Sequence, residues 1–427
     1  MGRPKKITPT VEKAPNRYTG GIDLLPEHHL PWSFFLDKFL HLANIFGYTK
    51  IEAPLFEHAR LYKTWEQGGE RKAVAMADIK GATAAMRPTH LFSLARMYLE
   101  HRLYERERIS KWFYHAPIMY SEPTGELKQS VEFGLQIFGG LTPIADSQMI
   151  NMLMRLFNEA GIPNLSLEIN NSGCLECLPG YRDVLGGYFK EHKYDLCDNC
   201  LSYLEKNNPL RVLTCENLDC NTVITEAPTA LDYICDNCRK HFISVLEGLD
   251  ELNIAYNLNQ KVVGKPWSRR SIFEIHSRIE GKDIVLGRGG HFDDLIQSLG
   301  GPITQSLGFI GKMESVLEAI NLSNVKFATT QKVDVYLVPL GELACKKTLR
   351  LFTELWNHGI VASEFMGVGS IKTQLKLAES NKVDIALLIG QKEAREGTVI
   401  LRDVRSGMQE IFVTERIVDE VKKRLGR

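Results

Sequence analysis

The sequence predicts a two-part chain, an antiparallel sheet flanked by helices (α+β) followed by a smaller α/β domain, and three observations carry that expectation. At 427 residues the chain is too long for one compact core. Its hydrophobic rhythm changes near residue 332, from long alternating runs to a regular succession of strand and helix. Eight of its nine cysteines fall in pairs between Cys174 and Cys238, marking an insertion over residues 173–240.

The elements follow in order. Residues 1–16 carry Arg3, Lys5, Lys6 and Lys13 with no apolar stretch behind them, which reads as a basic, unstructured arm rather than a secretory signal. Residues 28–48 place Leu30, Trp32, Phe35, Phe39, Leu40, Ala43 and Ile45 near a 3.6-residue rhythm, an amphipathic helix. Ile51, Ala53 and Leu55 alternate as in a strand that runs into a helix. Residues 112–138 read as two long antiparallel strands, broken by Pro and Gly around Glu122 to Gly125. Helices are expected over 146–160 and 311–320, and strands over 272–279 and 283–286. Residues 322–331 form a linker, so the parts expected are 17–325 and 332–427. The second part alternates strand (333–340), helix (345–358), strand (361–365), helix (371–379) and strand (383–390). A hairpin turning at Arg405 to Gly407 and a closing helix over 415–425 complete it.

Several classes of function are excluded or unsupported. No apolar run approaches the roughly 20 residues a membrane helix needs. The 52 basic residues balance the 52 acidic ones, so no global field announces a polyanion, DNA included; any nucleic-acid binding has to come from local patches. Clustered cysteines without an export signal favour metal ligation in a reducing cytoplasm over disulfides.

Cys197/Cys200 and Cys235/Cys238 are each separated by two residues, a spacing that aims both sulfurs at one ion, and two such pairs complete a tetrahedral site. Cys215 and Cys220 lie between them and Cys174 and Cys177 upstream, so the four pairs hold one or two Zn²⁺ ions. No general base accompanies them, so the expected role is structural.

The segment GVGSIKTQLKLAESNKVDIALLIGQKEAREGTVILRDVRSGMQ resembles the anticodon-binding domain of class II synthetases of the histidyl type. The insertion, with NPLRVL, AP, DY and HF, resembles that family's helical insertion in its cysteine-rich, zinc-bearing form, and RYTGGIDLLPE resembles its opening segment. The chain is thus similar to the histidyl-tRNA synthetase family over residues 17–427. The resemblance implies a class II core over 17–325, a zinc-bearing insertion, an anticodon-binding domain over 332–427, tRNA as partner, ATP and Mg²⁺ where the chemistry survives, and a homodimer built around Pro54 and Glu57.

The chemistry is where the likeness fails. The family places three arginines against phosphate charge as the histidine carboxylate attacks ATP. Its motif 2 reads Phe-Arg-x-Glu; here Tyr120 holds the arginine position and only Glu122 survives. Motif 3 ends Gly-Leu-Glu-Arg; here Glu314 is kept and Ser315 replaces arginine. The signature Arg-Gly-Leu-Asp-Tyr-Tyr becomes VGKPWS, with Val263 for arginine and Trp267 and Ser268 for the tyrosines. Arg-Pro-Glu-Gly-Thr becomes RPTHL: Arg87 remains, but Thr89 replaces the carboxylate that holds the α-amino group. On the motif 2 strand Glu132 is present, whereas Gln136 replaces an acid. Gly-Gly-Arg-Tyr-Asp persists as GGHFDD with Gly289, Gly290 and Asp293. Losing one such charge costs about 10²–10³ in rate.

Lys265, two residues after Val263, shares its face if that segment is a strand, and Lys312 shares a helical face with Ser315; Lys128 falls near a basic position of the family. The simpler reading of Lys265 and Lys312 is solvated surface. Three functions follow: a paralogue that binds tRNA or a related partner with weak or absent histidine activation, a divergent active histidine–tRNA ligase, or a regulatory subunit of ATP phosphoribosyltransferase. For the first, Lys372, Lys376, Arg402 and Arg405 are the candidate RNA contacts, in a domain with 16 basic against 13 acidic residues.

Overall fold

The computed structural model describes residues 17–67, 71–77, 81, 83–325, 327, 333–364 and 370–427. The expected arm at 1–16 and half of the linker at 322–331 (residues 326 and 328–331) lie outside the described residues, as do residues 365–369. The chain divides into two compact units, one up to Phe327 and one from Ala328 onward.

The first unit opens with the helix Pro26–Ile45, a proline in its first turn where the missing N–H costs nothing. It buries Phe35, Phe39, Leu42 and Ala43. Ile45, which the rhythm placed inward, is 61% exposed, and Phe46 packs on the core instead. The strand expected through Ile51, Ala53 and Leu55 is two short pieces, β1 (Thr49–Lys50) and β2 (Phe56–His58). Pro54, lacking an N–H, stands between them. A 3₁₀ turn Ala59–Tyr62 follows, and then β3 (Lys72–Ala77), β4 (Thr83–Met86) and the helix His90–Glu100, which the sequence patterning did not announce.

The long hairpin is as expected: β5 (Ile109–Ser121) pairs along its length with β6 (Leu127–Gly139). Its turn is closed by Gly125 N–H donating to Glu122 O at 2.8 Å. After the helix Pro143–Glu159 come β7 (Leu165–Asn171), the insertion, β8 (Asn257–Leu258), β9 (Arg269–Ile279), β10 (Lys282–His291) and β11 (Ser306–Lys312). The helix expected from Gly311 begins at Met313, because Gly311 and Lys312 pair with Phe133 and Glu132 in the sheet. The eleven strands form one mostly antiparallel sheet in the order β2-β4-β3-β5-β6-β11-β10-β9-β7-β8, with β1 beside β5.

Period-two alternation divides this sheet between two cores. Phe113, Phe133, Leu135, Ile137, Leu307 and Phe309 face the helices Pro26–Ile45, Pro143–Glu159 and Met313–Leu322. Trp112, Tyr114 and Phe138 face the other way, towards the helix His90–Glu100. That second face carries the polar residues of the candidate site.

The second unit is a five-stranded sheet ordered β13-β12-β14-β15-β16. Here β12 is Val335–Pro339, β13 Ala362–Glu364, β14 Ile385–Ile389, β15 Thr398–Asp403 and β16 Gln409–Val413. The first three run parallel, and β15 and β16 form the expected antiparallel hairpin. Helices Glu342–Asn357, Ile371–Ser380 and Ile417–Leu425 match the expected ones; a short helix Gln391–Glu396 was not foreseen.

Candidate active site and cysteine clusters

Alternation along β5, β6 and β11 brings Tyr114, Tyr120, Glu132, Gln136, Gly308 and Lys312 to one sheet face, with Lys312 opposite Glu132 and Gly308 opposite Gln136. Gly308 leaves room for the Gln136 amide, since a Cβ there would lie 2.3 Å from its Oε1. Glu132 is buried, and its Oε1 accepts from the His90 backbone N–H at 2.9 Å, the Tyr114 hydroxyl at 2.8 Å and Thr89 Oγ at 3.3 Å. Burial pushes the Glu132 carboxyl up, against the pull of those donors. Thr89 also stands at the N-cap of the helix His90–Glu100. Gln136 donates only to the neighbouring Ile137 carbonyl, at 3.3 Å.

Two motif survivors turn out to be struts. Arg87 is 2% exposed and donates to the carbonyls of Pro117 (2.8 Å), Ala53 and Pro54 (3.2 Å), tying the segment between β1 and β2 to β5. Glu314 accepts from Ser130 Oγ at 2.7 Å and Val131 N–H at 3.1 Å, fixing its helix to β6.

At two positions where the resemblance leads one to expect arginine, Tyr120 is buried and Val263 packs against the core of the insertion. Trp267 lies edge-on to Phe92 at 5.3 Å, and Ser268 Oγ accepts from the Lys265 N–H at 3.1 Å. The segment around Val263 and Lys265 is irregular rather than a strand, and Lys312 ends β11 rather than sharing a helix with Ser315. Lys265 therefore shares no strand face with Val263, and Lys312 no helical face with Ser315.

Cations nevertheless gather there. Lys312 is half-buried and donates to the Tyr120 hydroxyl at 2.8 Å, so it is not free surface charge. Arg71 sits over the Tyr120 ring at 4.6 Å and grips Glu122 at 3.2 Å. Lys265 is solvent-accessible, yet desolvation together with Arg288, Arg211 and Arg71 brings its amine down to about 8. Arg288 is held by Glu274 across the β9–β10 ladder at 2.6 Å. Lys128 instead pairs with Glu126 in its own hairpin, at 2.8 Å. Arg71 and Arg288 escaped the sequence reading because they lie outside the family's motif positions.

On the other face of the sheet, where His291 pairs with Leu307 and meets the helix Pro143–Glu159, lies a buried ion pair. His291 Nε2 meets both oxygens of Asp146, at 2.9 and 3.1 Å, and its Nδ1 lies 3.4 Å from Asp293. Burial alone would lower its pKa, but the two carboxylates outweigh that and hold His291 protonated up to about 10. Neighbouring His241 is lowered to about 4 by burial. The signal available in the sequence was histidine at the arginine position of the Gly-Gly-Arg-Tyr-Asp motif.

Eight of the nine cysteines form two groups of four, and the pairing differs from that expected. Cys235 and Cys238 join Cys174 and Cys177; Cys197 and Cys200 join Cys215 and Cys220. The two closely spaced CDNC pairs thus belong to separate sites. Sulfur separations are 3.7 Å (Cys174–Cys177), 3.8 Å (Cys174–Cys235), 4.0 Å (Cys177–Cys238) and 3.8 Å (Cys197–Cys215). A tetrahedral ion with sulfurs at about 2.3 Å requires edges of about 3.8 Å, so both donor sets fit Zn²⁺. Cys197 and Cys235 are N-caps of the helices Asp198–Glu205 and Asp236–Glu251, and at Cys197 the backbone N–H of Cys200 and neighbouring thiols bring the thiol down to about 7.

In the second unit, Lys372 and Lys376 are exposed on the helix Ile371–Ser380, which packs on the sheet face that holds Ile400 and Val404. Arg402 shares that face by alternation along β15, while Arg405 in the turn pairs with Asp384 at 2.8 Å.

Comparisons with known proteins agree with this architecture. The family model described as histidyl-tRNA synthetase matches residues 20–180, and that of an anticodon binding domain matches residues 334–424. A histidine–tRNA ligase of Dehalococcoides mccartyi is 31% identical over 413 residues, 95% of this chain and 99% of the relative. One from Halothermothrix orenii is 31% identical over 423 residues, 96% of this chain and 99% of the relative. Apo histidyl-tRNA synthetase of S. aureus superposes with a TM-score of 0.78 at 22% identity, covering 95% of this chain and 99% of that one. A Bacillus halodurans protein described as an ATP phosphoribosyltransferase regulatory subunit/histidyl-tRNA synthetase gives a TM-score of 0.63 at 18% identity, over 91% of this chain and 100% of that one, a likeness of fold alone. With a class II-type sheet, an anticodon-binding domain and relatives alike over almost their whole length, this chain belongs to the histidyl-tRNA synthetase family.

Proposed function

We propose that this chain binds tRNA through its C-terminal domain and has lost the activation of histidine. One observation carries the reading: the three positions at which the family meets phosphate charge hold Tyr120, Val263 and Ser315, and Val263 is committed to packing against the insertion. Electrostatic stabilisation of phosphoryl charge depends on placement, and a lysine lacks the planar fork of arginine. ATP–pyrophosphate exchange with histidine tests the reading; exchange no faster than without enzyme is expected, and histidine-dependent exchange overturns it. For RNA binding, total tRNA should retard the protein in a gel at low salt, and no retardation removes that part of the proposal.

Arg71, Lys265, Arg288 and Lys312 favour a second reading, a divergent ligase that uses ATP and Mg²⁺ and meets the phosphates from relocated positions. Under that reading Lys312→Ala abolishes a measurable exchange rate.

The two cysteine quartets support structural zinc. The set Cys174, Cys177, Cys235 and Cys238 sits at the root of the insertion, where Ser172 and Gly173 exchange backbone hydrogen bonds of 2.8 Å with Arg270. The set Cys197, Cys200, Cys215 and Cys220 lies within the insertion. A homodimer through the segment around Pro54 and Glu57 completes the proposal; sedimentation at the mass of one 48.3 kDa chain would remove it. No described helix is long and apolar enough to cross a membrane.

A further inference from the structure

We infer that His90 is an internal plug: its imidazole fills the amino-acid subsite and shuts out free histidine. This deepens the reading of a degenerate site, and it rests on a residue the family does not have, since the Arg-Pro-Glu-Gly-Thr motif places glycine where this chain has His90.

The position is fixed by several contacts. His90 is 0% exposed. Its ring stacks on Tyr114 with centroids 4.5 Å apart and planes inclined by 25°. The hydroxyl of that tyrosine and the backbone N–H of His90 both donate to Glu132 Oε1. Thr89, one residue before, occupies the position of the family's α-amino-binding carboxylate and donates to the same oxygen. The imidazole therefore lies among the groups that mark the amino-acid subsite. Gly134 shows how tightly that face is packed, because a Cβ there would come within 2.5 Å of the Tyr114 hydroxyl.

What the ring does chemically is also informative. Among the described residues, neither Nδ1 nor Nε2 of His90 has a hydrogen-bond partner. Burial, reinforced by the charge of Arg87, keeps the ring neutral by lowering it to about 3. A buried imidazole with both nitrogens unpaired loses its hydration and regains no polar bond. Fold stability does not ask for such a group at a glycine position; its volume is what it supplies. A glycine here would leave a space the size of an imidazole against Tyr114, lined by Glu132 and Thr89.

The test uses the full-length chain as wild type, His90→Gly and His90→Leu, with imidazole and L-histidine as probes, read by isothermal titration and by thermal melting. His90→Gly should bind imidazole at least about tenfold more tightly than wild type and gain melting temperature on its addition. His90→Leu, which keeps bulk without ring nitrogens, should stay closed. Should His90→Gly fold only when imidazole is present, that rescue supports the plug as well. Histidine binding to wild type in equilibrium dialysis overturns it whether or not the variants fold, as does His90→Leu binding imidazole as well as His90→Gly, or His90→Gly binding it no better than wild type. Histidine-dependent pyrophosphate exchange by wild type removes the proposed loss of activation together with the plug. An inert wild type with no gain in His90→Gly removes the plug alone.

Discussion

His291 and Arg87 carry charge into the core, and each is held by acceptors that define its role. His291 is protonated up to about 10 between Asp146 and Asp293, well above the ordinary histidine value near 6.5. A group raised in the folded state adds stability that is complete below its unfolded pKa and is lost as pH climbs through the folded one. Thermal melts of wild type and His291→Gln should therefore lie furthest apart near about pH 6 and converge towards pH 10; a constant gap would show that the ion pair is not the source. Arg87→Ala strips the donor from the Ala53, Pro54 and Pro117 carbonyls, and urea unfolding should show a loss of about 2–4 kcal/mol. A loss below about 0.5 kcal/mol, the level of an ordinary surface change, would deny Arg87 its role as a clamp. At this scale the sequence marks departures from a motif, but not what the new side chains touch. Tyr120 in place of arginine was visible; Lys312 and Arg71 converging on its ring from elsewhere in the chain was not.

Among the elements, the strands and helices with a clear apolar period were readable: the β5–β6 hairpin, the helix Pro143–Glu159, and the alternation of the second unit. Missed elements were those whose residues are specified by neighbours. The helix His90–Glu100 buries His90, Leu91, Phe92, Ser93, Leu94, Ala95 and Tyr98, so its pattern is not a one-sided stripe. β11 reads as glycine-rich because its glycines lie beneath side chains of adjacent strands, so its strand character appears only once paired. The insertion is the element on which the proposed metal would act. Elemental analysis should find two Zn²⁺ per chain, one remaining in Cys235→Ser/Cys238→Ser and one in Cys197→Ser/Cys215→Ser. Were both ions lost together in either variant, the quartets would not be independent sites. Chelation should reduce the helical signal of the insertion, because metal binding energy there is folding energy.

For the whole molecule, binding to RNA has to arise from placement, since the net charge is zero. Lys372→Ala/Lys376→Ala removes two exposed cations from the helix Ile371–Ser380, and should weaken tRNA retardation and flatten its salt dependence by about two units of slope. An unchanged slope would place the RNA elsewhere on the protein.

The sequence by itself determined the family, the order of units and the donor atoms of the insertion, because apolar periods, cysteine spacing and motif residues are local properties of the chain. Tertiary structure alone decided which cysteines gather into each group of four, which cations reach Tyr120, and that the imidazole of His90 lies against Tyr114. Those facts depend on strand register and on side chains that meet from distant positions, and neither is encoded in any single stretch of residues.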